Sequence, residues 1–142
     1  MLQAAVDTNV LIRANIKKTG SDYLIFKAFL DGKFRLLFSE KLMLELKRVL
    51  GYRRIFSKYN FDKESVSDFL EAIATLGTFV YNPTPVKICR DESDDEILSI
   101  ALAVTGKNPI YVVSGDKDLL ELKGRVKGVR IVTASDFLKI LR

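Results

Sequence analysis

Short apolar runs alternate with helix-length segments along the chain, and no other feature constrains the fold as strongly. Residues 2–6, 34–38, 110–113 and 129–132 are runs of this kind. Apolar runs without polar alternation are strands covered on both faces, and such strands pair in parallel through helical crossovers. A shorter strand is expected at 78–81, before the breaker Asn82-Pro83-Thr84-Pro85.

The intervening segments read as helices. In 21–30, Leu24, Ile25, Ala28 and Phe29 recur at helical spacing and Asp31-Gly32 closes the run. Ser39 is placed to cap a helix with Leu42, Leu44, Leu46, Val49 and Leu50, ending at Gly51. Asp62 is expected to cap a helix whose apolar face is Val66, Phe69, Leu70, Ile73 and Ala74. Ser93 and Glu96 have capping-box spacing ahead of Ile97, Leu98, Ile100, Ala101 and Leu102, and Gly106 ends that helix. A short helix is expected around Leu119, Leu120 and Leu122, and a terminal one from Ser135. The expected class is α/β, a central mainly parallel sheet flanked by helices, with 1–142 as one domain.

Composition removes several chemistries. There is no histidine, so His-based triads, His general bases and His metal ligands are excluded. Cys89 is the sole cysteine, which excludes an intrachain disulfide and fits a reducing compartment. No basic-then-apolar leader and no membrane-length apolar stretch is evident, so a cytoplasmic location without a membrane partner is expected. The 23 Lys and Arg against 18 Asp and Glu leave a net charge of +5, a surplus that suits a polyanionic partner.

Any hydrolytic chemistry must then rest on carboxylates, hydroxyls or lysines. Asp7 follows the first strand and Asp116 follows the strand at 110–113. In open α/β sheets ligands bind beyond the carboxyl ends of the strands, so both acids belong at the rim of one crevice. Asp94 lies three and seven residues before Ile97 and Ala101, on the apolar stripe of its helix, and Asp95 a quarter-turn away. Glu45 interrupts the apolar run of the helix at 39–50. Each acid also has a plain structural reading: Asp7 as a helix cap, Asp94 to Glu96 as charges on a helix dipole, Asp116 in a turn, Glu45 as a solvated residue. Clustered carboxylates repel unless a cation or a raised pKa relieves them, and with no His or Cys pair the hard cations Mg²⁺ or Mn²⁺ suit the set better than Zn²⁺.

VDTNVL at 6–11, the Glu of SEKLMLELKRVL, CRDESDDEILSIALA and VVSGDKDLL at 112–120 resemble, in order and spacing, the four acidic motifs of PIN domains. The nearest subgroup is that of small prokaryotic PIN proteins similar to VapC toxins. The resemblance implies a PIN-like α/β/α sandwich and a metal-dependent ribonuclease. Asp7, Glu45, Asp94 and Asp116 match the family's site residues, with Asp7, Asp94 and Asp116 as metal ligands. The resemblance favours Asp94 over Asp95, in agreement with the stripe. Asp91, Asp118, Thr8 and Ser114 match further positions beside the site. Asp95 is a departure, since relatives often carry Asn there.

Phosphodiester hydrolysis assisted by Mg²⁺ or Mn²⁺ is the expected chemistry, with RNA as substrate. The segment 47–61 interleaves bases with Tyr52, Phe56, Tyr59 and Phe61, a composition suited to stacking bases and holding phosphates, or equally to a core or interface. Lys117, Lys123, Arg125, Lys127 and Arg130 add a basic cluster near Asp116. An antitoxin protein and a homodimer are partners implied by the resemblance alone. A non-cleaving PIN-fold RNA-binding module is the main alternative. A haloacid-dehalogenase phosphatase needs a second Asp two residues after the first, where Asn9 stands, and the acidic pair of a receiver domain is likewise missing.

Overall fold

A computed structural model of the chain describes residues 1–51 and 63–142. The aromatic and basic stretch at 52–61 and the helix cap expected at Asp62 lie outside the described residues. Strand β1 (Gln3–Val6) leads into helices α1 (Thr8–Ile16) and α2 (Gly20–Leu30). Strand β2 (Arg35–Phe38) and helix α3 (Glu40–Leu50) follow. After the undescribed stretch come α4 (Lys63–Leu76), β3 (Thr78–Phe79), α5 (Glu92–Ala103) and β4 (Ile110–Val113). The chain closes with α6 (Lys117–Leu120), β5 (Val129–Val132) and α7 (Ala134–Leu141).

The sheet order is β3-β2-β1-β4-β5, and every pairing is parallel. Helices flank this sheet in an α/β/α sandwich. The four residues of β4 are all buried, as are Ala4, Ala5 and Val6 of β1, which is why these runs lack polar alternation. β1 is the middle strand, and the chain moves outward from it first to β2 and later to β4. The gap between β1 and β4 is therefore the topological switch point, where the crevice of an open sheet forms.

An aromatic chain ties the helices to the sheet. Phe137 of α7 is fully buried, edge-on to Phe34 at 5.1 Å and tilted against Tyr111 of β4 at 5.3 Å. Phe137→Ala is expected to cost about 3–5 kcal/mol of stability, read as a shifted urea midpoint. A loss under about 1 kcal/mol would mean that the helix is not anchored by this ring.

Several local expectations are corrected. The segment after β1 holds a further helix, α1, ahead of the one read at 21–30; Lys17 and Lys18 between them are exposed, and Gly20 opens α2 with a φ of 85°. Leu24, Leu44 and Ala74 face outward, while Phe26 and Met43 are buried in the corresponding turns of α2 and α3. Ser93 and Glu96 form no capping box. Asp91 caps α5 by accepting from the Ser93 amide at 2.8 Å, and Thr133, not Ser135, caps α7. Gly77 allows the sharp exit from α4: a Cβ there would meet the Ile73 carbonyl at 2.5 Å and the Phe38 ring at 2.9 Å.

Candidate active site

Backbone pairing extends past the ends of the two inner strands. The Asp7 amide donates to the Val113 carbonyl at 2.8 Å, and the Ser114 amide to Val132 at 3.0 Å. These bonds fix Asp7 and Ser114 side by side at the switch point. The Ser114 hydroxyl then joins the two strand ends. It donates to Asp7 Oδ2 at 2.6 Å and accepts from the Asp116 amide at 2.9 Å.

Both strand-end acids also cap helices. Asp7 Oδ1 accepts from the Asn9 amide at 3.2 Å, starting α1, and Asp116 Oδ1 accepts from the Asp118 amide at 2.8 Å, starting α6. Capping therefore coexists with the site at these two positions: each cap fixes its carboxyl, and the opposite oxygen of Asp7 meets Ser114.

Asp94 is different in kind. It sits in the first turn of α5, 3% exposed, and its Oδ2 is buried without a hydrogen-bond partner among the described residues. Oxygens of Asp94, Asp116 and Asp118 all lie within 4.8 Å of one another. Burial, followed by the charges of Asp116, Asp7, Asp91 and Asp118, pushes the Asp94 carboxyl up to about 7. Burial also raises Asp7; the Ser114 and Asn9 hydrogen bonds pull it back and Asp116 pushes it further up. Thr8, which follows Asp7, has a buried hydroxyl that is likewise without a partner.

Asp95 faces the other way and is structural. It accepts from the amides of Ile88 at 2.9 Å and Cys89 at 2.7 Å, pinning the incoming segment to α5. Burial would raise its pKa, but the Cys89 and Ile88 amides outweigh it and hold the carboxyl below its usual range. Cys89 itself is pushed up to about 12 by burial and then by Asp95 and Asp94, so its thiol stays protonated and unreactive at neutral pH.

Of the acids singled out in the sequence, the structure thus gathers Asp94, Asp116 and Asp118, with Asp7 alongside through Ser114. Asp91 caps α5 at the margin. Glu45 is outside that cluster of three. It flanks the first turn of α5 and accepts from the Ser93 hydroxyl at 2.7 Å. That hydroxyl's role is silent in the sequence, because Ser93 reads equally well as a cap. So are two arginines near the site: Arg13, paired with Asp22, and Arg90, whose Nη2 lies 4.0 Å from Asp118. The basic residues Lys117, Lys123, Arg125, Lys127 and Arg130 are all exposed.

Ser114→Ala is expected to raise the Asp7 pKa further and to cost about 1–2 kcal/mol, since buried Asp7 and the part-buried Asp116 amide each lose a hydrogen bond. A carboxyl ¹³C titration reads the first effect. An unmoved Asp7 midpoint would contradict the coupling.

An acidic crevice at the switch point of a five-stranded parallel sheet defines the class: an α/β protein built to gather carboxylates beyond its strand ends. The sequence matches the PIN domain over residues 3–118, and the chain belongs to the PIN-domain family, whose members are generally nucleases. A comparison with curated proteins returned no match. Among the described residues no helix is long and apolar enough to cross a membrane.

Proposed function

We propose that this chain is a metal-dependent endoribonuclease that hydrolyses RNA phosphodiester bonds at the carboxylate cluster. The observation that carries the reading is Asp94: its carboxylate is buried, one of its oxygens lacks a partner among the described residues, and it groups with the Asp116 and Asp118 carboxylates. A charge so placed costs several kcal/mol unless a counterion meets it. An all-oxygen donor set without His or available thiolate fits Mg²⁺ or Mn²⁺.

Asp94, Asp116 and Asp118, with Asp7, would hold the ion. When bound, it supplies a water of lowered pKa and offsets the charge that builds on the phosphate. Ser114 favours the ionised form of Asp7 by donating to it, against the effect of burial, and fixes the Asp116 backbone. Glu45, oriented by Ser93, is the carboxylate left to position water or complete the ion's shell. Cleavage of this type does not require the ribose 2′-hydroxyl, so RNA preference must come from binding.

A toxin role in a toxin–antitoxin pair rests on the resemblance to small prokaryotic PIN proteins. A cleft of about 980 Å³ beside α5, lined by Lys41, Leu44, Phe79, Pro85 and Arg90, offers an antitoxin segment a half-apolar seat. None of the clustered carboxylates lines it.

The test uses matched RNA and DNA oligonucleotides with Mn²⁺ and analysis of the product ends. RNA cut to 5′-phosphate and 3′-hydroxyl ends is the expected result. Preferential DNA cutting would overturn the substrate assignment. Ion binding with no cutting of either would favour the non-cleaving RNA-binding module.

A further inference from the structure

Arg13 is a cationic residue beside the crevice, its side chain 53% exposed and paired with Asp22. It lies about 9 Å along α1 from Asp7, by the rise of a helix. Helical side chains lean toward the N-terminus, so an arginine there reaches back toward the crevice. The Asp22 carboxylate in the first turn of α2 accepts from its Nε at 2.7 Å. Its Nη2 comes over the Ser114–Asp116 turn: a Cβ built on Gly115 would stand 3.7 Å from that atom. The Asp7 carboxyl feels its positive charge. Among the described residues, neither Nη atom of Arg13 has a hydrogen-bond acceptor. Arg90, by contrast, is 89% exposed and only loosely paired with Asp118.

We infer that Arg13, oriented by Asp22, contacts a phosphate of a single-stranded nucleic acid as it enters the carboxylate crevice, with Asp22 as its positioning residue. This rests on the nuclease reading for its link to catalysis but makes a separate claim about binding. A phosphate approaching clustered carboxylates meets repulsion, and a forked guanidinium whose Nη donors are unengaged among the described residues supplies the opposing attraction. Nε is already engaged, so the ion pair fixes the plane of the fork without using the Nη donors. A lysine at this position would keep the charge and lose the fork.

The test compares wild type with Arg13→Ala, Arg13→Lys, Asp22→Asn and the Arg13→Ala/Asp22→Asn pair. Affinity for a labelled single-stranded RNA is read in Ca²⁺ across a salt series, and cleavage is read separately in Mn²⁺. Arg13→Ala should flatten the salt slope by about 0.7, the share of one phosphate contact on a single strand. It should also slow cleavage roughly 100-fold, as loss of one well-placed donor does. Arg13→Lys should keep the slope and lose part of the rate. Asp22→Asn should weaken cleavage in the wild-type background and have no further effect once Arg13 is gone, a non-additivity that general unfolding would not produce. An Arg13→Ala protein with unchanged slope and rate overturns the inference. Wild type that binds with the Arg13-dependent slope but never cuts overturns the nuclease reading and leaves the phosphate contact standing. Wild type that neither binds nor cuts overturns both.

Discussion

Replacing Asp94 with asparagine is expected to abolish cleavage and, at the same time, to stabilise the metal-free protein. The two effects share one cause. Asp94 is buried, its Oδ2 has no partner, and Asp116 and Asp118 stand within ligand distance of it. An isolated fold gains nothing from a carboxylate placed there. Asparagine has nearly the same shape and no charge, so at pH 8 the repulsion from Asp116 and Asp7 disappears. A gain of about 1–3 kcal/mol is expected in EDTA, the range for a buried polar group relieved of a missing partner. The rate should fall by more than the roughly 10–100-fold that removal of an outer hydrogen-bond partner causes at metal sites. Stability and activity moving in opposite directions is the signature of a site that strains its fold. Melting curves in EDTA and a cleavage time course read both. Lower stability with intact cleavage would assign Asp94 to the scaffold instead.

The second large effect is the linked dependence on pH and cation. In the folded, metal-free chain Asp94 takes up a proton near pH 7, against 3.8 in the unfolded chain. Between those values the folded state holds the extra proton, so stability in EDTA should fall as pH rises from about 4 to about 7 and level off above. Asp7, also raised, acts in the same direction. Asp95 is lowered, so its contribution is lost only as pH falls below its unfolded value of 3.8, outside this window. A divalent ion is expected to replace the proton. At a Mn²⁺ concentration about 100 times Kd, the gain at pH 8 is about 2.7 kcal/mol. That is roughly 10 °C of melting temperature for a chain of this length. The gain should shrink as pH drops through 7, where protons compete with the ion for Asp94. A flat EDTA profile between pH 4 and 7, or no Mn²⁺ shift at pH 8, would contradict the electrostatic description of the cluster.

The sheet was legible because its strands carry a signal that depends only on burial: β1, β2, β4 and β5 lie in the apolar runs picked out from the sequence. Strand order was not legible, since nothing local says that β1 lies between β2 and β4. Strand-end acids were readable as a class for the same topological reason, whereas Asp94 needed the helix stripe as well. Preferring it to Asp95 rests on two independent hints, the stripe and the resemblance; the Asp95 carboxylate accepts from the Ile88 and Cys89 amides. Polar side chains with one local and one distant use misled the reading. Ser93 and Glu96 have the spacing of a cap, yet they bond to Glu45 and Ser39 on α3, residues far away in the chain. Arg13 and Asp22 were silent for a similar reason: an ion pair between two helices leaves no periodicity to read.

The central claim is that the carboxylate cluster cuts RNA only when it holds a divalent ion. Its most direct test is cleavage of a labelled single-stranded RNA by wild type and by Asp94→Asn, each in Mn²⁺ and in EDTA. Cutting by wild type in Mn²⁺ alone, with the other three reactions blank, is the result expected. Cutting that persists in EDTA, or in the Asp94→Asn protein, would contradict it.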